Sequence, residues 1–117
     1  MLKVTKIQVE MLKNEANRTR SFNDGHRVFT RYEAIAAHIW RCACRARGHR
    51  YEQPTGLAIC LDIRNRVQPP LPQNFFGNAI VDVVATGRCS GDLVTRPSGY
   101  AASKMVSFCV CQVPDGR

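Results

Sequence analysis

No apolar run in this 117-residue chain approaches the ~20 residues that a membrane-spanning helix needs. The opening Met1-Leu-Lys-Val-Thr-Lys also lacks the apolar stretch of a secretory signal. Both absences lead to the expectation of a cytoplasmic protein with no membrane partner. Acids are scarce: 9 Asp and Glu stand against 17 Lys and Arg, giving a net charge of +8. Lysine is scarcer still, present only as Lys3, Lys6, Lys13 and Lys104, so the other 13 basic residues are arginines. The planar guanidinium suits bidentate anions, which points to a phosphate-bearing partner, either a nucleotide-containing cofactor or a nucleic acid. The plainer explanation is that compensating acids lie elsewhere in a longer protein.

Metal and disulfide chemistry lack the spacing they require, although six cysteines are present. Cys42 and Cys44 fall in a predicted helix, about 200° apart around its axis, and cannot chelate one ion together. Cys109 and Cys111 have no Cys/His pair following at finger spacing. Cys60 is expected on the inward side of a strand as a small hydrophobe. Reduced thiols and no metal are therefore expected. Nucleophilic catalysis lacks its parts too. None of His26, His38 and His49 is followed by Asp four residues on, and none sits in a serine or cysteine nucleophile setting.

What is present is a helix and the strand after it. Thr30 and Glu33 form a capping box, and Gly48 stands where a left-handed helix stop belongs, just past Arg45 and Arg47. Tyr32, Ile35, Ile39, Ala43 and Ala46 recur at steps of three and four and are expected to share the buried face. His38, Arg41 and Arg45 then form a polar stripe. Upstream, Leu2–Val4 reads as the end of a strand. Thr5 and Gln8 repeat the capping box ahead of a helix from Lys6 to about Ala16. Residues 17–25 read as a polar loop.

Downstream, Leu57–Arg64 alternates as a strand with at least one buried face. Prolines 69, 70 and 72 stop it. The nearly all-apolar run Ala79–Ala85 reads as a strand covered on both faces, with Asp82 needing a partner. Residues 86–91 read as a loop, Pro97–Met105 as a helix, and Phe108–Val113 as β-like. With 117 residues the chain fits one domain, burying about two thirds of its unfolded surface.

Two stretches offer ligand chemistry. At the start of the central helix, amides near Arg31–Glu33 lack intrahelical partners, the dipole is positive, and Tyr32 offers a ring for stacking. A plainly capped helix explains the same residues. In Asp62-x-Arg64-x-Arg66 a carboxylate can hold one guanidinium and leave its neighbour free for a phosphate. A structural ion pair at a sheet edge accounts for it equally well.

Taken together, Tyr32-Glu-Ala-Ile-Ala-Ala-His-Ile-Trp-Arg-Cys-Ala-Cys-Arg-Ala-Arg-Gly48, Asp62-Ile-Arg-Asn-Arg66, Gln68-Pro-Pro-Leu-Pro72 and Phe75-Phe-Gly-Asn78 closely resemble the plant BAHD acyltransferases. Within that family the chain is most similar to the hydroxycinnamoyl transferases. Gly48-His49, Glu52-Gln-Pro-Thr55 and Asp82-Val-Val-Ala85 lean toward those that act on spermidine. The resemblance implies an α/β fold: part of a chloramphenicol-acetyltransferase-like two-layer domain, with helices packed on a small mixed sheet. It places residues 1–104 in the C-terminal half of such an enzyme and leaves residues 105–117 as a tail outside the family pattern. The family's His-x-x-x-Asp and Asp-Phe-Gly-Trp-Gly motifs do not occur here. The chain therefore reads as a middle slice of a roughly four-times-longer enzyme, with no catalytic residue of its own.

The resemblance also implies acyl-CoA as donor substrate, with no permanently bound cofactor, and an amine or alcohol as acceptor. By the same resemblance the acyl-CoA channel is lined by Thr30, Arg31, Tyr32 and Glu33. Its other wall takes in Asp62, Ile63, Arg64, Asn65, Arg66, Val67 and Gln68. The rival readings are a basic nucleic-acid-binding module and an inactive remnant. The first lacks an RNA-binding signature and the interleaving of aromatic and basic residues that a stacking platform needs. No nucleic-acid partner is expected. Strand edges without neighbours lead to the further expectation of a marginally stable chain.

Overall fold

The computed structural model describes residues 1–20 and 27–112, and the side chains of residues 87, 88 and 108–112 are outside the description. The polar loop expected at residues 17–25 and His26 fall partly or wholly outside the described residues, as does the end of the chain from residue 113.

Helix α1 runs from Lys6 to Arg18, two residues beyond the expected end. Its capping box is formed: Thr5 Oγ1 accepts from the Gln8 amide at 3.2 Å, and Gln8 Oε1 accepts from the Thr5 amide at 2.9 Å. Leu2–Val4 is irregular rather than a strand. A strand needs a ladder partner, and no described segment pairs with it.

Helix α2, Arg31–Ala46, has the second capping box, with Thr30 and Glu33 exchanging bonds of 3.2 and 2.9 Å. It stops at Gly48, which adopts φ +60° and donates its amide to Arg45 O. The buried face is not the expected one. Ala34, Ala37, Trp40 and Cys44 face the core, whereas Tyr32 and Ile39 are exposed. The helix is apolar on two sides. Periodicity favours the side with the larger residues, but the small Ala34 and Ala37 allow closer approach of other helices. Arg41 likewise leaves the solvated stripe and donates to the carbonyls of Leu93, Val94 and Arg96.

The sheet is one antiparallel pair, β1 (Pro54–Asp62) with β2 (Ile80–Cys89), so the described strands supply no parallel neighbour for a mixed sheet. In its register Leu57 faces Ala85, Ile59 faces Val83 and Cys60 faces Asp82. Ile59, Val83 and Ala85 are buried, while Ile80 and Val84 on the opposite side are exposed. The run at 79–85 is therefore covered on one face only, because the described chain has no second layer to lay over it. Cys60 is exposed rather than inward, since the inward parity belongs to Leu57, Ile59 and Leu61. It supplies the partner that Asp82 needed: Cys60 Sγ donates to Asp82 Oδ1 at 3.1 Å.

The loop expected at residues 86–91 is instead the end of β2 and the first residues of a short helix, α3 (Ser90–Thr95). Helix α4 then runs from Ser98 to Gln112, so Phe108–Gln112 is helical and not β-like. Nothing between Met105 and Gln112 interrupts a helix: the stretch contains neither Gly nor Pro. Helix α4 is the middle of the fold, packing on β2 to one side and on α1 and α2 to the other. Ala101, Ala102 and Met105 are fully buried there, completing a core with Ala16, Phe29, Trp40 and Leu93.

At the crossing of α1 and α4, Gly99 leaves no room for a side chain. A Cβ there would lie 2.7 Å from the carbonyl oxygens of Ala16 and Thr19. Because those atoms are backbone, they cannot rotate away. Gly99→Ala is expected to destabilise the chain by about 1–3 kcal/mol, as overpacking does. Urea unfolding should show a lower midpoint, whereas an unchanged midpoint would mean that the two helices cross with slack.

Candidate functional site

The N-terminus of α2 is fixed before any ligand arrives. Asn17 on α1 donates through Nδ2 to Phe29 O and accepts the Phe29 amide on Oδ1 at 2.8 Å. Phe29 is buried, so the residue just before the Thr30 cap is held by both backbone and ring. Sequence reading gave no signal for this clamp, since Asn17 lay in an apparently solvated stretch.

A cleft of about 220 Å³ opens beside this end of α2. Tyr32 and Glu33 form one wall, Arg66 another, and Ile59, Leu61, Met105 and Val106 the apolar floor, with Arg27 at the rim. The fold thus brings the two sequence-predicted stretches to one place. It does not bring all their residues. Thr30 spends its hydroxyl on the cap, and Arg31 turns to α1, where Nε donates to Glu10 Oε1 at 2.6 Å. Of the second stretch only Arg66 lines the cleft: Asp62 ends β1, and Ile63, Arg64, Asn65, Val67 and Gln68 belong to the turn after it. That turn is closed by the Arg66 and Val67 amides on Ile63 O and by the Leu71 amide on Arg64 O. Arg27, Ile59, Leu61, Met105 and Val106 were missed. Arg27 stands at the edge of a polar loop. Ile59 and Leu61 read only as the buried side of a strand, and Met105 and Val106 lie where the sequence had suggested a tail.

Charges in and around the cleft are mostly paired. Glu33 accepts from the Thr30 amide and from the Arg27 guanidinium, so it caps the helix and neutralises Arg27 together. Asp62 holds Arg64 at 3.0 Å, both at the backbone amide and at Nη1. Arg66 has no ion pair or side-chain hydrogen bond among the described residues. It therefore contributes one uncompensated positive charge next to a helix N-terminus. The amides of Arg31 and Tyr32 have no intrahelical acceptor at that end. The arrangement suits an anion with a flat apolar neighbour, which Tyr32, 59% exposed, can stack against.

The Arg64 amide, assisted by its guanidinium, holds the Asp62 carboxyl below its ordinary value of 3.8. Because the folded value is lowered, the clamp is complete above 3.8 and is lost only as pH falls through the lower folded value. Around neutral pH the clamp is constant. A carboxyl NMR titration should place the Asp62 midpoint below 3.8. In Arg64→Ala it should recover only part of the difference, since the amide remains. Full recovery would show that the guanidinium alone sets it.

Comparison with known proteins bears on this site. Residues 1–112 match the model of a family described as the Transferase family. The chain is 39% identical over 116 residues to the hydroxycinnamoyl-CoA:piscidic acid hydroxycinnamoyltransferase of Actaea racemosa, covering 98% of this chain and 26% of that protein. It is 39% identical over 106 residues to the shikimate O-hydroxycinnamoyltransferase of Nicotiana tabacum, covering 90% and 23%. With putrescine hydroxycinnamoyltransferase 1 of rice (Oryza sativa subsp. japonica) it shares 36% over 110 residues, covering 91% and 24%. The chain thus spans about a quarter of the length of these relatives. Among solved structures, TRI101 of F. sporotrichioides, complexed with coenzyme A and T-2, superposes with a TM-score of 0.77 at 20% identity. That match covers 88% of this chain and 23% of the other. TRI101 of F. graminearum, with coenzyme A and deoxynivalenol, gives 0.74 at 22% identity, covering 85% and 21%. At those identities the likeness is one of fold.

Proposed function

The chain belongs to the Transferase family, that of the BAHD acyltransferases, and on that premise we propose that its cleft takes a phosphate-bearing part of an acyl-CoA. The whole enzyme then transfers a hydroxycinnamoyl group from coenzyme A to an amine or alcohol. The observation that carries this reading is the convergence of Tyr32, Glu33 and Arg66 on one cleft, with Arg64 tied down by Asp62 beside it. At about 220 Å³ the cleft is too small for a whole coenzyme A and is sized for one end of it. The acceptor is deprotonated by a histidine base and attacks the thioester carbonyl. That base belongs to a His-x-x-x-Asp segment, which this chain does not contain. A polyamine such as spermidine is the acceptor class favoured by Gly48-His49 and Glu52-Gln-Pro-Thr55. The chain is assigned to the C-terminal half of the enzyme and binds donor without turning it over.

The rival, a nucleic-acid-binding role for the net charge of +8, makes a different prediction. Joint Arg64→Ala and Arg66→Ala substitution removes charge-assisted bonds at one place only. Coenzyme A affinity, measured by calorimetry, should fall about tenfold or more. Retention on RNA should drop only slightly, because the other arginines are untouched. Unchanged coenzyme A affinity would remove the cleft from the account, and an equal loss of RNA retention would favour the rival. Turnover of hydroxycinnamoyl-CoA and spermidine by the purified chain above a buffer blank would contradict the proposed division of labour.

A further inference from the structure

We propose that Cys42 is an acyl-accepting thiol: an aromatic acyl thioester seated in the groove between α1 and α2 passes its acyl group to Cys42 Sγ, with His38 as base. The inference uses neither the cleft at Arg66 nor the acyl transfer proposed for the whole enzyme. It starts from the face of α2 that the core leaves unused. His38 and Cys42 are one turn apart on that face, with Sγ 3.5 Å from Nε2. This is hydrogen-bond reach for sulfur, and it makes a nucleophile and base pair where spacing read from the sequence saw none. Cys42 is exposed, so a thioester can reach it.

The space beside the pair has the size and polarity of a ligand site. A groove of about 410 Å³ is walled by Leu2, Val4, Leu12, Ile35, Ile39 and Ala43, with Lys3 the one lysine or arginine on its lining among the described residues. That volume lies in the range of ~300–1,000 Å³ typical of small-molecule clefts, and the apolar walls suit a flat aromatic acyl group. None of the groove's residues lines the cleft at Arg66.

The step balances without any further reactant. The Sγ–H proton passes to His38 Nε2, and the sulfur attacks the thioester carbonyl carbon. The bond from that carbon to the leaving sulfur breaks, and the leaving thiolate takes the proton back from the imidazolium. One thioester replaces another, so nothing is oxidised or reduced.

The chain contains its own controls. Cys60 is also exposed, but its thiol faces Asp82, and the carboxylate pushes its pKa up and so disfavours the thiolate. Cys44 is buried against Thr55. Asp82 slows Cys60 whatever happens at Cys42, so the ratio of the two rates is read together with His38→Gln, which removes the His38–Cys42 pair alone.

The test incubates the whole chain with the p-coumaroyl thioester of N-acetylcysteamine, a donor with no phosphates, and follows acyl mass on each cysteine peptide with time. Cys42 should acylate at least about tenfold faster than Cys60, through a hydroxylamine-labile bond. This ratio is read on the unaltered chain. His38→Gln should lower the Cys42 rate toward that of Cys60 and leave the Cys60 rate unchanged. Equal rates at the two thiols, absence of acyl mass on Cys42, or an unchanged Cys42 rate in His38→Gln would each overturn the proposal.

Discussion

The rotation of α2 about its own axis is the constraint on which the rest of the structure depends. Two neighbouring side chains set it. Trp40 Nε1 donates to Thr55 Oγ1 at 3.0 Å, tying the helix to the start of β1. Arg41 donates to the carbonyls of Leu93 and Arg96 at 2.8 and 3.0 Å, tying it to the end of α3. The last carbonyls of a helix have no donor within it, and a short helix such as α3 has few others to offer. A guanidinium with five donors in a fixed fork fills that need in a way that lysine could not. Once Trp40 and Arg41 are engaged, Ala34 and Ala37 must face α4, and Tyr32 and Glu33 must open toward the cleft.

The electrostatics of the cleft follow from that placement. Arginine is abundant, but near α2 most of it is answered locally. Arg31 meets Glu10, Arg27 meets Glu33 and Arg64 meets Asp62. Exposed pairs of this kind contribute little to stability, about 0–1 kcal/mol each. Their effect here is to fix where the remaining charge stands. Arg66 is left facing an apolar floor and a helix N-terminus, a setting that attracts a phosphate more strongly than an exposed arginine on a flat surface.

The features legible in the sequence are those that short-range chemistry decides. The alternation that marks the two strands is local, although their ladder pairs residues as distant as Pro54 and Cys89. Both capping boxes and the stop at Gly48 depend on residues a few positions apart. Their bonds would form in many tertiary settings. The family was legible for the same reason, since its motifs are local runs. The buried face of α2 was not legible, because two apolar faces compete and the choice rests on how closely α4 can approach. Arg41 and Asn17 read as solvated because their partners lie 52 and 12 residues away. Cys60 was misread by one position of parity, which in a strand reverses the face. The helix through Met105 to Gln112 was missed because its strand-like residues outweighed the absence of a stop.

The central claim is that coenzyme A binds where the start of α2 meets the turn after β1. Backbone amide NMR during a coenzyme A titration tests it most directly. The account predicts saturable shifts confined to Arg31–Ala34 and Ile63–Gln68, with Lys3–Leu12 and Ile39 unmoved. Shifts centred on the α1–α2 groove, or spread evenly over the arginine-bearing surface, would contradict it.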